Sequence, residues 1–434
     1  MAEKAINPNA GCAGAFVPAL ERLSELQPEM LDDLSRLIAT ETSFPPGNGY
    51  PAFAQLAENL VSPLGFTCER INVPPELWSA PGAFGERTNV IAVRDSGKPK
   101  LAIYFHVDTV PPGDGWTHPP LELTRIGDRL FGRGTADMKG TIAAVLAALR
   151  ALDAAGEELA YDPVLLFCTD EEGGLYPGVR YIAEQGKLSG HLLCLNGGAV
   201  PRIYGGSFGS MDFRLSFFGR SAHSGDPVGG INALEEALAV LTALTKLKSS
   251  VETRKSQIPS PPHLEDRPLH ARLTLTAASA GSKGSALPGQ FHLIVNRRYT
   301  PEENAEKVEE EIRNTVAQAV AGTRLLGHDI TLTGHLAPVS DPTGPHGLRW
   351  QQALSEGFGW AMTDFRTYGS STSSDLGWVQ KTGQKEILLG GLSRPDRNVH
   401  AADEHTTLSD LMGLARAILF YLSAGFESDQ INKE

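Results

Sequence analysis

Four short stretches of the sequence carry side chains that bind metals or move protons. The first spans residues 104–109, where His106 and Asp108 alternate along an extended segment and therefore face the same side. A metal-binding histidine commonly donates its second ring nitrogen to an outer partner, and Asp108 is predicted to fill that role. A buried histidine neutralised by a carboxylate, without any metal, explains this pair equally well.

The second and third stretches supply acids. Residues 132–140 are rich in glycine and place one acid, Asp137, before a predicted helix. Such an acid is usually an N-cap, and the alternative is a carboxylate that bridges two cations. Residues 168–174 follow an apolar strand with three consecutive acids, which include Glu171 and Glu172. Adjacent carboxylates repel one another unless a positive charge lies among them, which favours a metal site over a solvated loop.

The fourth stretch, residues 398–404, contains a histidine that by itself would indicate no function. Together the stretches supply four imidazole and carboxylate ligands suited to zinc, manganese or cobalt: His106, Asp137, Glu172 and His400. Glu171 remains as the general base toward a water activated by the metal and as the acid toward the departing nitrogen. The set therefore predicts metal-dependent hydrolysis of a carbon–nitrogen bond.

A serine or cysteine nucleophile has no comparable set of residues. The sequence contains no Gly-x-Ser-x-Gly turn, and Cys168 lies within a predicted buried strand. Neither residue type is therefore predicted to carry the reaction.

The elements that must position these residues form an α/β pattern. Strands are predicted at 88–94, 100–105 and 164–168, and they alternate with helices at 29–42, 51–64 and from 136 onward. This alternation predicts a layered domain with a largely parallel central sheet. The first 25 or so residues are interpreted as an extension or a short helix.

The pattern changes near residue 206. Strands are predicted at 211–218, 272–278, 291–298 and 330–335, with helices at 232–247 and 301–320. A strand at 385–389 and a helix at 407–422 then return to the first pattern. We therefore expect a discontinuous catalytic domain, residues 1–205 and 337–434, interrupted by a small α+β lid at residues 206–336.

The composition is that of a soluble globular protein with a net charge of −13. Lysine and arginine are scattered, which disfavours nucleic acid and membranes as partners. No stretch approaches about 18 apolar residues, and the first residues lack the pattern of a secretory leader. The 4 cysteines have no C-x-x-C spacing. We therefore expect a cytoplasmic protein without disulfides.

The order and spacing of these stretches resemble one family of metallopeptidases and deacylases. It includes acetylornithine deacetylase, succinyl-diaminopimelate desuccinylase, aminoacylase and bacterial glutamate carboxypeptidase. The likeness covers residues 30–425 and rests on His-x-Asp-x-Val-Pro at 106–111, Gly-Arg-Gly-x-x-Asp-Met-Lys-Gly at 132–140, Thr-Asp-Glu-Glu at 169–172 and His-x-x-x-Glu at 400–404. It implies a zinc-peptidase-like catalytic domain with two metals bridged by Asp137, and a lid that mediates dimerisation.

The resemblance also assigns lid residues. The segment Gly-Arg-Ser-Ala-His-Ser-Gly at 219–225, which continues to Asn232, is similar to the family's lid segment. There the matching histidine reaches the active site of a neighbouring subunit, so His223 is implied to polarise the scissile carbonyl. Asn232 is implied to contact substrate. A surface loop before a helix is the alternative for both residues.

Three positions depart from the family's pattern or match it incompletely. Asn196 stands where the family has an acidic ligand, so the cation beside His106 is expected to be held loosely, and one firm or labile metal is predicted with the second site doubtful. Arg298 aligns with a family arginine and is implied to anchor a substrate carboxylate, while a surface arginine is the alternative. Gly369 begins a Gly/Ser-rich segment whose backbone amides are candidates for carboxylate binding, or which is a simple turn.

The resulting prediction is a metal-dependent hydrolase that cleaves an amide bond of a small carboxylate-bearing substrate, and that forms a homodimer or a larger homo-oligomer. Two alternatives remain open. The first is an aminohydrolase that releases ammonia from a small aromatic amine, as the family member 5-nitroanthranilate aminohydrolase does. The second is an inactive binding protein, which the exchange at Asn196 favours and the retention of Glu171 disfavours.

Overall fold

A six-stranded sheet forms the centre of the computed structural model, which describes residues 16–426. Its strands lie in the order β1-β2-β6-β3-β7-β15. Their bounds are Thr67–Asn72 (β1), Thr88–Val93 (β2), Lys100–His106 (β3), Asp162–Cys168 (β6), His191–Gly198 (β7) and Ile387–Ser393 (β15). The last four strands along the sheet, β6-β3-β7-β15, pair in parallel, whereas β1 and β2 are antiparallel. The predicted α/β class with a largely parallel central sheet is confirmed.

Helices cover this sheet because each presents an apolar face to it. They are Val17–Glu25 (α1), Gln27–Ala39 (α2), Tyr50–Val61 (α3), Pro75–Trp78 (α4), Lys139–Ala155 (α5), Gly178–Glu184 (α6), Gly347–Phe358 (α10), Leu376–Lys381 (α11) and Leu408–Leu422 (α12). Helix α5 is buried on nearly every side, since alanine allows α1, α2 and α12 to pack closely against it. Strands β3 and β6 are apolar along almost their whole length, as strands covered on both faces must be.

A second sheet lies within residues 206–336. Strands Arg272–Ala280 (β10), Gln290–Tyr299 (β11), Gly209–Phe218 (β9) and Gly327–Leu336 (β12) pair antiparallel in that order. Helices Ala233–Glu236 (α7), Leu238–Val251 (α8) and Ala305–Val320 (α9) accompany them, and these elements share a hydrophobic cluster separate from that of the central sheet. The separate clusters agree with the predicted lid, whose exact boundaries stay a prediction.

Two small sheets complete the structure. Strands Arg202–Ser207 (β8), Val339–Ser340 (β13) and Arg366–Ser370 (β14) form one, in the order β13-β8-β14. Strands Thr124–Ile126 (β4), Arg129–Phe131 (β5) and His405–Thr407 (β16) form the other. Both sheets join chain segments that are far apart in sequence, so local periodicity did not predict them.

The predicted elements differ from the structure mainly at their ends. The helix expected from residue 136 begins at Lys139, because the preceding residues form a loop. The helix expected at 51–64 ends at Val61, and the one expected at 232–247 is divided at Ala237. Part of the predicted N-terminal extension is helix α1, and its residues 1–15 lie outside the described residues. Among residues 16–426, no helix has the length and apolar character needed to cross a membrane.

Candidate metal centre and active-site cavity

The candidate site lies at the carboxyl ends of two parallel strands. His106 is the last residue of β3 and pairs in register with Cys168, the last residue of β6. Glu171 and Glu172 follow β6 and therefore emerge at the same edge of the sheet. Asp137 precedes α5, and His400 lies between β15 and β16. The carboxyl edge of a parallel sheet is where ligands of α/β proteins usually bind.

The four predicted ligands converge at this edge. One ligand atom each from His106, Asp137 and Glu172 lies within 4.8 Å of the others. Nε2 of His106 is 3.0 Å from Oδ1 of Asp137. Nε2 of His400 is 3.3 Å from Oδ2 of Asp137 and 3.0 Å from Oε2 of Glu172. Asp137 thus lies between the two imidazoles, and two nitrogens with two carboxylates fit a zinc-type divalent ion.

Charges in this cluster are strongly coupled. Hydrogen bonds to Asp137 and Glu172 raise the pKa of His400 to about 10. Burial by itself would raise the pKa of Asp137, but hydrogen bonds from His106 and His400 outweigh it and lower that pKa. Burial, with the charge of Asp137, raises the pKa of Glu172. The carboxylates are therefore stabilised by positive charge beside them, and the same donor set of two imidazoles and two carboxylates suits a divalent ion.

A glutamate remote in sequence shapes the loop that presents Asp137. Oε1 of Glu404 accepts hydrogen bonds from the backbone N–H groups of Gly134, Ala136 and Asp137, at 3.1, 3.0 and 3.1 Å. Its Oε2 pairs with Nη1 of Arg133 at 2.7 Å, and both side chains are about 1% exposed. The sequence motifs contained Arg133 and Glu404, but no local signal indicated that they pair.

Asp108 contacts the site differently from the prediction. Nδ1 of His106 lies 3.0 Å from the backbone carbonyl of Asp108, whereas the nearest carboxylate oxygen of Asp108 is 3.9 Å away. The carboxylate instead accepts the backbone N–H of Glu172 at 2.9 Å through Oδ2. The prediction that the side chain of Asp108 orients His106 is therefore wrong. The backbone carbonyl of Asp108 orients the imidazole, and its carboxylate positions the acidic loop.

Glu171 lies beside the cluster and is almost fully buried. Burial raises its pKa well above the ordinary value, Asp375 and Glu172 add to the rise, and His106 opposes it. Nδ2 of Asn196 donates a hydrogen bond to Oε1 of Glu171 at 3.3 Å. Asn196 thus contacts the predicted base through its amide nitrogen, and its predicted role as a weak metal ligand stays a prediction.

A cavity of about 350 Å³ opens beside the metal cluster. Glu171, Glu172 and His400 form one wall, and Arg298 reaches it from strand β11. Nη1 of Arg298 donates to Oγ of Ser373 at 2.8 Å. Arg298 is therefore placed where the sequence predicted it, at a cavity that also contains the candidate base.

The cavity contains residues that the sequence did not indicate. Three of them come from the second sheet: Ser210, Asp212 and His335. Nε2 of His335 lies 2.8 Å from the Tyr299 hydroxyl, and burial lowers the pKa of His335 to about 4. Such contacts depend on how the second sheet packs against the first, which no spacing along the chain reveals.

Three other predicted residues lie away from this cavity. His223 is exposed, and its Nδ1 accepts the N–H of Gly225 at 3.0 Å. Asn232 is the N-cap of α7, where its side chain accepts two backbone N–H groups, so its oxygen is engaged in the helix end. The amide of Gly369 donates to the carbonyl of Pro259 at 2.8 Å within β14. The amide of Gly369 itself is therefore engaged within the chain, and carboxylate binding by the other backbone amides of residues 369–375 stays a prediction.

Comparison with known proteins identifies the family. The model of peptidase family M20/M25/M40 matches residues 102–424. Succinyl-diaminopimelate desuccinylase of Acidovorax ebreus (strain TPSY) is 28% identical over 378 residues, which cover 84% of this chain and 91% of that protein. That of Xylella fastidiosa (strain 9a5c) is 31% identical over 367 residues, covering 81% and 87%. The structure of the di-peptidase Dug1p from Saccharomyces cerevisiae aligns with a TM-score of 0.78 at 17% identity, covering 96% of this chain and 99% of that one. The chain belongs to peptidase family M20/M25/M40.

Proposed function

We propose that this hydrolase of the M20/M25/M40 family cleaves an amide bond in a small carboxylate-bearing substrate, with Glu171 as its general base. Its family acts on amide and peptide carbon–nitrogen bonds and is metal-dependent. One observation carries the finer proposal. The ligand atoms of His106, Asp137 and Glu172 lie within 4.8 Å of one another beside the cavity that contains Glu171.

The residues divide the work of hydrolysis among them. His106, Asp137, Glu172 and His400 hold a divalent ion, which when bound supplies Lewis acidity toward a carbonyl and lowers the pKa of water. Glu171 takes a proton from the attacking water and returns it to the departing nitrogen, for which its raised pKa is suited. Arg298 and Ser373 orient a substrate carboxylate in the cavity.

We propose that one ion is held firmly and that a second, if bound, exchanges readily. Besides Asp137, the first side has an imidazole and a carboxylate, those of His400 and Glu172. The second side has the imidazole of His106 and, in place of a carboxylate, the neutral amide of Asn196. A neutral amide offers one oxygen and no charge, so it binds a cation more weakly than a carboxylate does. Elemental analysis of purified protein before and after dialysis is expected to retain about one equivalent of zinc, manganese or cobalt.

Amine release from N-acyl amino acids and dipeptides tests the reaction. The metal-loaded protein is expected to hydrolyse at least one of these, to lose activity on treatment with a chelator and to regain it with added metal. Activity that survives complete removal of metal would contradict the proposal.

Asn196 supports a second candidate function. Its amide contacts Glu171 where the family pattern has an anionic ligand, so the surroundings of the base differ from those of a typical deacylase. An aminohydrolase that expels ammonia from a small aromatic amine needs the same base and one metal. Ammonia released from an aminobenzoate, with no amine released from acyl substrates, would favour this function over amide hydrolysis.

We also propose a cytoplasmic homodimer in which His223 of one subunit completes the site of the other. His223 is exposed and lies outside its own chain's cavity, which leaves its imidazole accessible to a second copy. Mixing inactive Glu171→Gln protein with inactive His223→Ala protein is expected to restore part of the activity, because a mixed dimer contains one intact site. A mixture of the two variants that shows no restored activity would contradict the shared site.

A further inference from the structure

A second arginine, Arg202, lines a small cavity together with Asn196. It is the first residue of β8, and its guanidinium lies over two tyrosine rings, 5.3 Å from the centroid of Tyr204 and 4.7 Å from that of Tyr368. Its Nε donates to the backbone carbonyl of Tyr368 at 3.0 Å. These contacts fix the plane of the guanidinium and leave its two terminal nitrogens for other partners.

The charge of Arg202 has no counterion within the described part of the chain. No carboxylate of residues 16–426 forms an ion pair with it, and its Nη2 is buried without a hydrogen-bond partner. Burial lowers the pKa of Arg202, yet an arginine remains charged at neutral pH. A partly buried guanidinium whose Nη2 has no hydrogen-bond partner is unfavourable, whereas a carboxylate that binds both terminal nitrogens would compensate it.

A small polar cavity of about 80 Å³ adjoins this guanidinium. Hydroxyl groups and one amide line it, among them those of Ser207, Thr372, Ser373 and Asn196, and none of its lining residues is acidic. The Ser207 hydroxyl accepts from the Tyr204 hydroxyl, which leaves its own proton free to donate. The positive charge of Arg202, surrounded by these neutral hydrogen-bond donors, is suited to binding an anion. A volume of this size admits a carboxylate group, since a single water needs roughly 10–15 Å³.

The small cavity is continuous in its lining with the active-site cavity. Thr372 and Ser373 line both, and Ser373 accepts the hydrogen bond from Arg298 on the active-site side. Asn196, on the Arg202 side, donates to Glu171. A substrate held beside Glu171 in the active-site cavity with Arg298 therefore lies next to the small cavity that contains Arg202.

We propose that Arg202 binds a second carboxylate of the substrate, and that the enzyme therefore prefers dicarboxylic substrates. The choice of substrate class rests on the proposed function, whereas binding of the carboxylate itself does not. Arg202, Ser207 and the adjoining hydroxyls bind the carboxylate that lies remote from the reacting carbon. Arg298 orients the other end of the molecule.

Titration calorimetry with succinate and with butyrate tests this site in the metal-loaded protein. The two probes have the same carbon chain, and only succinate carries a second carboxylate. Wild type is expected to bind succinate more tightly than butyrate, and Arg202→Met to bind succinate about tenfold to a hundredfold more weakly than wild type. Butyrate binding is expected to be unchanged by Arg202→Met, since Arg298 and the metal remain.

Arg416→Met is the matched control. Arg416 is partly buried, its Nε also donates to a backbone carbonyl, that of Gly357 at 2.9 Å, and burial likewise lowers its pKa. It lies on α12, away from both cavities. Arg416→Met is expected to bind succinate as wild type does. Arg202→Lys retains the charge without the planar fork, and it is expected to bind succinate with an affinity between those of wild type and Arg202→Met.

Three results would overturn the inference: equal affinity of wild type for succinate and butyrate, unchanged succinate binding in Arg202→Met, or equal weakening in Arg416→Met. Thermal melting without ligand identifies a folding defect. Arg202→Met is expected to melt no lower than wild type, because it removes an uncompensated charge.

The two proposals can fail separately. Wild type that hydrolyses amides but binds succinate no better than butyrate contradicts this inference alone. Selective succinate binding without any hydrolysis contradicts only the proposed function.

Discussion

The two ends of the parallel strands in the central sheet use histidine in opposite ways. At the carboxyl end, His106 and His400 face carboxylates that have no arginine or lysine partner in the described residues. At the amino end, His191 begins β7, and its Nε2 lies 2.7 Å from the hydroxyl of Tyr421. Its ring stacks on that of His346 with centroids 3.7 Å apart.

The polar groups at the amino end satisfy one another. His346 contacts Glu386 at 2.7 Å through Nδ1, and Arg349 donates to backbone carbonyls, including that of Tyr421. Burial, with the charges of His346 and Arg349, lowers the pKa of His191 to about 3, whereas hydrogen bonds to carboxylates raise that of His400 to about 10. The polar groups of the amino end are therefore paired with one another, whereas the two imidazoles and two carboxylates of the carboxyl end form a set that can bind a metal ion.

The largest effect is expected from Glu171→Gln at the carboxyl end. This change removes the proposed base but preserves the shape of the side chain, so turnover is expected to fall by about 10²–10⁴-fold. Steady-state kinetics measure the loss, and elemental analysis is expected to show unchanged metal content. Glu158→Gln, on an exposed surface, is the control and is expected to leave turnover unchanged. Loss of metal in Glu171→Gln would mean that Glu171 is a ligand instead of the base.

Arg133→Met is expected to destabilise the fold by about 3–5 kcal/mol, because it leaves Glu404 buried without its counterion. Denaturant unfolding measures this effect. Arg125→Met removes an arginine that is exposed and donates only to a carbonyl, so its unfolding free energy is expected to stay near that of wild type. Equal stability of the two variants would show that the Arg133–Glu404 pair does not hold the loop.

His400→Ala is expected to weaken metal binding by at least about 100-fold. Substitution of residues that only support metal ligands already costs about 10–100-fold, and His400 contacts both Asp137 and Glu172. Competition with a chromogenic chelator measures the affinity. His328→Ala, which removes an exposed histidine on β12, is the control. Wild-type affinity in His400→Ala would place the metal on the His106 side alone.

The most gradual effect is expected at the amino end, where it develops over several pH units. The pKa of His191 is about 3 in the folded protein and about 6.5 in the unfolded chain, so between these values only the unfolded chain binds the proton. The unfolding free energy is therefore expected to fall as pH decreases from about 6.5 toward 3, by at most about 1.4 kcal/mol per pH unit from this residue.

His191→Gln tests this expectation, since glutamine keeps a polar group near Tyr421 but does not titrate. Denaturant unfolding at several pH values is expected to show a shallower decrease of stability for His191→Gln than for wild type. Parallel curves for the two proteins would mean that His191 remains solvated and titrates normally in the folded state.

The sequence was informative wherever chemistry and local pattern coincided. The predicted apolar runs of β3 and β6 end directly before His106 and three residues before Glu171, so the strand assignment itself predicted that these residues share an edge. Asp137 and His400 joined this set as the remaining carboxylate and imidazole ligands. The structure brings all four predicted metal ligands together.

The remaining features depend on packing between distant segments. Arg202 begins a short strand of a separate sheet, and nothing in its neighbourhood along the chain distinguishes it from a surface arginine. Asp108 was assigned to His106 because alternate residues share a face, but the chain bends after β3 and presents its carbonyl instead. Asn232 and Gly369 lay in recognised segments, yet a helix end engages the side-chain oxygen of Asn232, and the carbonyl of Pro259 accepts the amide of Gly369.

The bond between Glu404 and the loop of Asp137 has a consequence for synthesis of the protein on the ribosome. The loop that carries the central metal ligand obtains its shape from a side chain 267–270 positions further along the chain. A nascent chain that already contains His106, Asp137 and Glu172 therefore still lacks the Glu404 side chain that shapes the loop of Asp137. The hydrogen bonds that shape this loop can form only after residue 404 has left the exit tunnel, so the loop reaches its final shape late in synthesis.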